Sequence, residues 1–333
     1  MSTSEEWTTI TRSKGKRQHS KMSICSAYDP LIAPPWGPDN IEDLDLTLEK
    51  LVANYQTQFR KWQSSRCRAT LINSLDRARR RGDWRLTKAF CIASGSFSRF
   101  NQTNNRRALL QLAAFVDIGG ALDILQDNEH AILTDTKSAG SSCSSSKSNP
   151  RIRFYAQEPA YTSLDKRFLE HIGVQYIHVP RYGTPDSPIP PLLNAEPFID
   201  TSTFLFEPFI ERRRTTLRHL YARFPCLYIG TRIPDQLAQV PCSPRDFFRV
   251  SDAQLSVEEG LNGWVPEAEQ RRILPELRRR NEAAIRFAET RMPGRYFPRF
   301  EEEPAVFEGL MAYWGPIEAD EGEAEVGEVP GVL

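Results

Sequence analysis

The parts of this 333-residue chain best suited to chemistry are a run of small hydroxylated residues and a few well-placed acids. Ser94-Gly95-Ser96-Phe97-Ser98 follows the apolar run Ala89–Ala93, and Glu158-Pro159 closes a second apolar segment. A glycine lets a ligand approach the backbone, and amides ahead of a helix can hold an anion. A carboxylate beyond a second strand stands where nucleotide-binding folds place an acceptor for ribose hydroxyls. Glu207 ends a later apolar segment and joins Ser94, Gly95, Ser96 and Glu158 as candidate residues of a cofactor-binding cleft. Arg181, Tyr182, Thr231 and Arg232 would reach the same edge from other strands. Blander readings stay open beside these. One glycine falls short of G-x-G-x-x-G, so Gly95 also fits a simple tight turn, and Glu158 also fits a solvated strand end. Glu207 and Glu211 have the spacing of an acid–base pair, but two acids at a helix N-terminus suit the dipole alone.

Other chemistries find no support. The chain has no Walker A loop, no H-E-x-x-H, no C-x-x-C and no G-x-S-x-G. No metal site is expected. His171, His178 and His219 read as surface or packing residues. The six cysteines lack paired spacing, and Cys91 and Cys226 lie inside apolar runs, as reduced thiols of a cytoplasmic or nuclear protein would. The opening MSTSEEWTTI is polar and acidic, unlike a secretory signal, and no uninterrupted apolar run approaches a bilayer's width. No membrane partner is expected. Lys+Arg and Asp+Glu both number 43, which argues against general nucleic-acid coating. The basic cluster of the N-terminal arm, Arg12 to Lys21, is the one segment suited to nucleic acid, and a solvated tail explains it as well.

The elements that would position these residues follow from periodicity. Residues 1–40 are polar, basic and turn-rich, and are expected to be disordered. Over 41–84, Leu48, Leu51, Val52, Tyr55, Phe59 and Trp62 form one helical stripe, and a second helix ends in Arg79-Arg80-Arg81. Over 85–235, five short apolar segments alternate with helical ones: Ala89–Ala93, Ile152–Ala156, Val174–Val179, Thr203–Phe206 and Cys226–Ile229. That alternation predicts an α/β domain with a Rossmann-like, doubly wound, mainly parallel sheet of about five strands. Thr162 and Asp165 have capping-box spacing, and Gly173 suits the following helix end. The serine-rich stretch within 127–150 reads as a flexible insertion. Residues 236–300 are expected to form a helical extension broken or kinked at Pro275, and 301–333 an acidic disordered tail.

Taken in order, KAFCIASGSFS, RRALLQLAAF, QEPAYTSLDKRFLEHIGV, TSTFLFEPFIE and CLYIG resemble the sensitivity-to-red-light-reduced-like (SRR-like) domain, over about 150 residues, in a divergent, fungal-type form. Members of that family commonly carry Pro-His after the fourth strand. Here the positions read Glu207-Pro208-Phe209-Ile210, so no role of that histidine transfers. The resemblance implies a regulatory domain, linked to light and clock signalling in plants and to haem-related regulation elsewhere, and implies no particular reaction. Haem enters by this association alone. The residues themselves fit a nucleotide or adenosyl-type ligand, or a protein partner, at the carboxyl edge of the sheet. The alternatives are an adenosyl-methionine-dependent methyltransferase-like enzyme and a non-enzymatic interaction adaptor.

Overall fold

A computed structural model describes residues 45–82, 84–99, 102–135, 151–158, 160–178, 196–208, 214–231, 245, 248–258, 267–290 and 295–314. The expected basic arm, the serine-rich core of the insertion at 136–150 and the proline-rich stretch 179–195 lie outside them.

Two helices lead in. Helix α1 (Leu48–Ser64) starts where the Thr47 hydroxyl accepts the Lys50 amide at 3.3 Å, and it buries Leu51, Tyr55 and Trp62 along the expected stripe. Helix α2 (Arg66–Gly82) buries Leu71 and Leu75, and its terminal arginines are drawn into ion pairs: Arg79 with Asp76 and Glu129, Arg80 with Asp76. Strand β1 (Lys88–Ile92) follows, then α3 (Gln102–Asp135), β2 (Arg153–Gln157), α4 (Ser163–His171), β3 (Val174–Tyr176), β4 (Thr203–Glu207), α5 (Arg214–Tyr221) and β5 (Leu227–Thr231). Helices α6 (Asp252–Glu258) and α7 (Glu267–Thr290) precede β6 (Arg295–Tyr296) and β7 (Leu310–Trp314).

The sheet is larger than the sequence predicts. Among the described residues it has seven strands, in the order β3-β2-β1-β4-β5-β7-β6. β1 through β5 pair in parallel, and β7 enters antiparallel to both β5 and β6. The tail expected to be disordered from residue 301 therefore contributes a strand, with Leu310–Tyr313 buried. Its acids surround the uncharged LMAYW, and average composition hides a segment that short. Two further boundaries shift. Helix α3 continues to Asp135, nine residues into the segment assigned to the insertion (Asp127–Asp135). Helix α7 runs through Pro275 without interruption.

Side chains alternate across the sheet, so each strand feeds two cores. Ala89, Cys91, Phe204, Phe206 and Ile229 pack with α1 to α4 on one face. Phe90, Ile92, Leu205, Tyr228 and Tyr313 pack with α5 and α7 on the other. Helix α3 is apolar nearly all round, and its stretch Asn105–Glu129 is long and apolar enough to cross a membrane by length and composition. Within the fold it is a core helix, with Leu110, Leu112, Ala113, Ala114, Phe115 and Ile118 fully buried. Gly119 allows its close approach to the sheet, because a Cβ there would lie 2.5 Å from the Phe154 ring.

Candidate functional site

The chain moves outward from β1 through β2 to β3, then returns to β1's other side with β4 and continues to β5. Strand order thus reverses between β1 and β4, and the loops at their carboxyl ends flank the position where open α/β sheets hold ligands. The loop after β1 is unusual in its backbone. Ala93 has φ +59° and Gly95 φ +76°, so an alanine sits in the left-handed region at a cost of roughly 1–2 kcal/mol. Strain of this kind persists only where its surroundings enforce it.

The Ala93 amide donates to the Gln157 carbonyl at 3.1 Å, and two carboxylates hold the residues that follow it. Glu158, just past β2, accepts the Gly95 amide at 3.1 Å with one oxygen and the Ala160 amide at 2.9 Å with the other. Asp165, fully buried in the first turn of α4, accepts the Ser96 hydroxyl at 2.6 Å and the Phe97 amide at 3.1 Å. It also accepts the Thr162 amide at 3.0 Å, while the Thr162 hydroxyl accepts the Asp165 amide, completing the expected capping box. The loop's remaining polar groups are tied as well. The Ser94 and Tyr161 hydroxyls lie 2.6 Å apart, as do those of Ser98 and Thr162, and Arg99 Nε donates to the Ala160 carbonyl at 3.0 Å. Tyr161 in turn meets Tyr176, at the end of β3, edge-on at 6.0 Å.

Electrostatics follow from this burial. Burial raises the Glu158 carboxyl above its ordinary range, against the opposing pull of the Ala160 and Gly95 amides and the Arg99 charge. Burial likewise raises Asp165, against the hydrogen bonds from Ser96, Thr162, Ser98 and Phe97. Burial also holds the Tyr161 phenol well above its normal value. Glu158 remains partly exposed. A carboxylate offers about four acceptor positions, and two are occupied by amides, so Glu158 keeps capacity for hydroxyl donors.

Ser94, Gly95, Ser96 and Glu158 are therefore brought together. Glu207 is not part of that cluster. By strand alternation it points to the α5–α7 face, where the buried Tyr228 hydroxyl donates to it and Gly230 lies beside it in register. A Cβ at Gly230 would fall 2.8 Å from the Glu207 carboxylate. Thr231 ends β5, while Arg181, Tyr182, Glu211 and Arg232 lie outside the described residues. His219 is buried on α5 beside Arg280, whereas His178 is exposed. Among the described residues, no group of three His, Cys, Asp or Glu side chains is placed to hold a metal ion. Cys67, Cys91 and Cys226 are buried thiols outside any disulfide, with burial raising the Cys67 thiol to about 12.

Asp165 and Tyr161 are the participants the sequence did not single out for the cleft. Asp165 carried a signal only as a helix cap; its reach back to the β1 loop depends on β2 lying beside β1.

The SRR1 domain family matches residues 56–284, most of the chain and all of the loops just described. The chain belongs to the SRR1 domain family. Comparison with curated proteins and with solved structures finds no match. The match begins inside α1 and ends inside α7.

Proposed function

We propose that this SRR1 domain is a Rossmann-like, doubly wound regulatory module that binds a small hydroxyl-bearing ligand of nucleoside type at the carboxyl edge of β1 and β2. The observation carrying this reading is Glu158: amides from two loops anchor its mostly buried carboxyl and leave acceptor positions to spare, while the residue as a whole keeps some exposure at the edge. A ribose diol donating to a pre-positioned carboxylate forms charge-assisted hydrogen bonds, each about 1.5–3 kcal/mol. The partly exposed Tyr176, one ring beyond Tyr161, supplies an aromatic surface nearby. The Ser96 hydroxyl, which donates to Asp165, is buried together with it, and the reading is one of binding, with a protein partner reading the bound state.

The test is a thermal-shift panel including adenosine and S-adenosylhomocysteine. A ligand at about 100 times its Kd should stabilise the fold by about 2.7 kcal/mol. Glu158→Ala should weaken binding at least about tenfold, the loss of one good hydrogen bond. Unchanged affinity in that variant would remove Glu158 from the site, and no shift with any ligand would favour a pure adaptor.

One observation favours a second reading. The reversal of strand order between β1 and β4 makes a switch point where an adenosyl-type cofactor would fit as well as a regulatory ligand. Shared architecture does not carry activity by itself. Transfer of labelled methyl from adenosyl-methionine to a cellular fraction would promote this reading; binding without transfer supports the regulatory one.

A further inference from the structure

The loop after β1 has the form of an anion-binding turn, but four of the six amides from Ser94 to Arg99 are already in use. The amides of Gly95 and Phe97 are held by Glu158 and Asp165, and those of Ser98 and Arg99 both point at Ser96 Oγ, at 3.3 and 3.2 Å. The Ala160 amide is held by Glu158 too. In a phosphate-binding loop such amides face the ligand and carry the affinity. Here two carboxylates of the chain itself sit where a phosphate's oxygens would. Among the described residues two cations stand close by: Arg99, whose Nε is committed to the Ala160 carbonyl and whose charge faces Glu158, and Lys166, whose ammonium lies 4.8 Å from the Tyr176 ring centroid. Two acids and two bases balance by count, so the discrimination lies in which groups fill the turn: the carboxylates hold its amides, and the cations stand outside it.

We infer that the site selects against phosphate and takes a neutral or cationic nucleoside-type ligand, because the chain's own Glu158 and Asp165 occupy the amides that would otherwise bind an anion. This rests on the reading of Glu158 as the hydroxyl acceptor and narrows the ligand class. A phosphate entering the loop must displace a carboxylate from its amides or lie against it. A like charge within about 5 Å, near a protein surface, weakens binding on the order of a hundredfold. A positively charged substituent gains from the same field.

Calorimetric titration of adenosine, AMP and ATP into the full chain and into Glu158→Gln tests this directly. Adenosine should bind the unaltered chain at least about 100-fold more tightly than AMP or ATP. Glu158→Gln removes the charge and keeps a carbonyl acceptor, so it should narrow that gap tenfold or more, whatever it does to adenosine itself. A circular dichroism spectrum matching the parent confirms that the variant is folded. AMP or ATP binding as tightly as adenosine would overturn the inference and leave the ligand site standing. A gap that persists unchanged in Glu158→Gln would also overturn it. Failure of all three to bind would overturn the nucleoside reading, and the discrimination with it.

Discussion

At the scale of single residues, Asp165 and Glu158 differ in what they hold, and their substitutions should separate accordingly. Asp165 is buried with the hydroxyls of Ser96 and Ser98 and the amides of Phe97 and Thr162 aimed at its carboxylate. Asparagine keeps one acceptor and turns an NH2 toward donors, so Asp165→Asn should destabilise the fold by about 2–4 kcal/mol. In urea titration the midpoint should fall with little change in slope; a midpoint within error of the parent would contradict this account. The two acids also set a pH dependence. Both have folded-state pKa values raised by burial, so between the unfolded value and the raised one the native state binds more protons than the unfolded state. Stability contributed by these groups is therefore greatest below the unfolded value, near 4, and declines as pH rises through the raised values. Glu158→Gln should lose this dependence at one site. Relative to the variant, the parent should gain stability as pH is lowered from 7 toward 4, and denaturant midpoints across that range would detect the opposite slope.

At the scale of elements, the backbone after β1 and the approach of α3 to β2 invite two further substitutions. Ala93→Gly removes the left-handed penalty of about 1–2 kcal/mol but adds freedom to the unfolded chain worth roughly 0.5–1 kcal/mol. The net expectation is a stability equal to the parent or up to about 1.5 kcal/mol higher, whereas Ala93→Val should be clearly destabilising. Gly119→Ala should cost about 1–3 kcal/mol because its Cβ meets the Phe154 ring. Phe154→Leu should recover part of that loss, and a double-mutant cycle with no coupling would show that the helix does not seat there. These elements also show how far the sequence can be read. The five parallel strands were legible because each is a short apolar run set between helical stripes. The cap at Thr162 was legible from spacing alone. β6 was not, since two residues carry no periodicity, and β7 was hidden by its acidic surroundings. At the site, Ser94, Gly95, Ser96 and Glu158 could be placed from strand ends. Glu207 was assigned to the same cleft because strand position fixes height above the sheet, while the face a terminal side chain takes depends on register, here opposite Gly230.

At the scale of the whole molecule, the sheet is completed from the chain's far end. β7 pairs with β5 over five residues and carries Met311 and Tyr313 into one core and Leu310 and Ala312 into the other. Helix α7 covers the α5 face through Ala284, Ile285, Phe287 and Ala288, and Asn281 receives Arg218 at 2.9 Å. A chain ending at residue 235, where the strand pattern alone would close the domain, lacks all of this. It should show no cooperative thermal unfolding, and a sharp transition with native-like near-ultraviolet dichroism would refute the claim that the C-terminal elements belong to the same folding unit. The central functional claim is that a ligand is held at the junction of the β1 and β2 loops through Glu158. Amide chemical-shift mapping during an adenosine titration tests it most directly. Gly95, Ala160 and Tyr161 should move together and saturate with a single Kd, and Glu158→Ala should suppress those shifts. Shifts confined to residues distant from this edge, such as those of α7, or shifts untouched by Glu158→Ala, would contradict it.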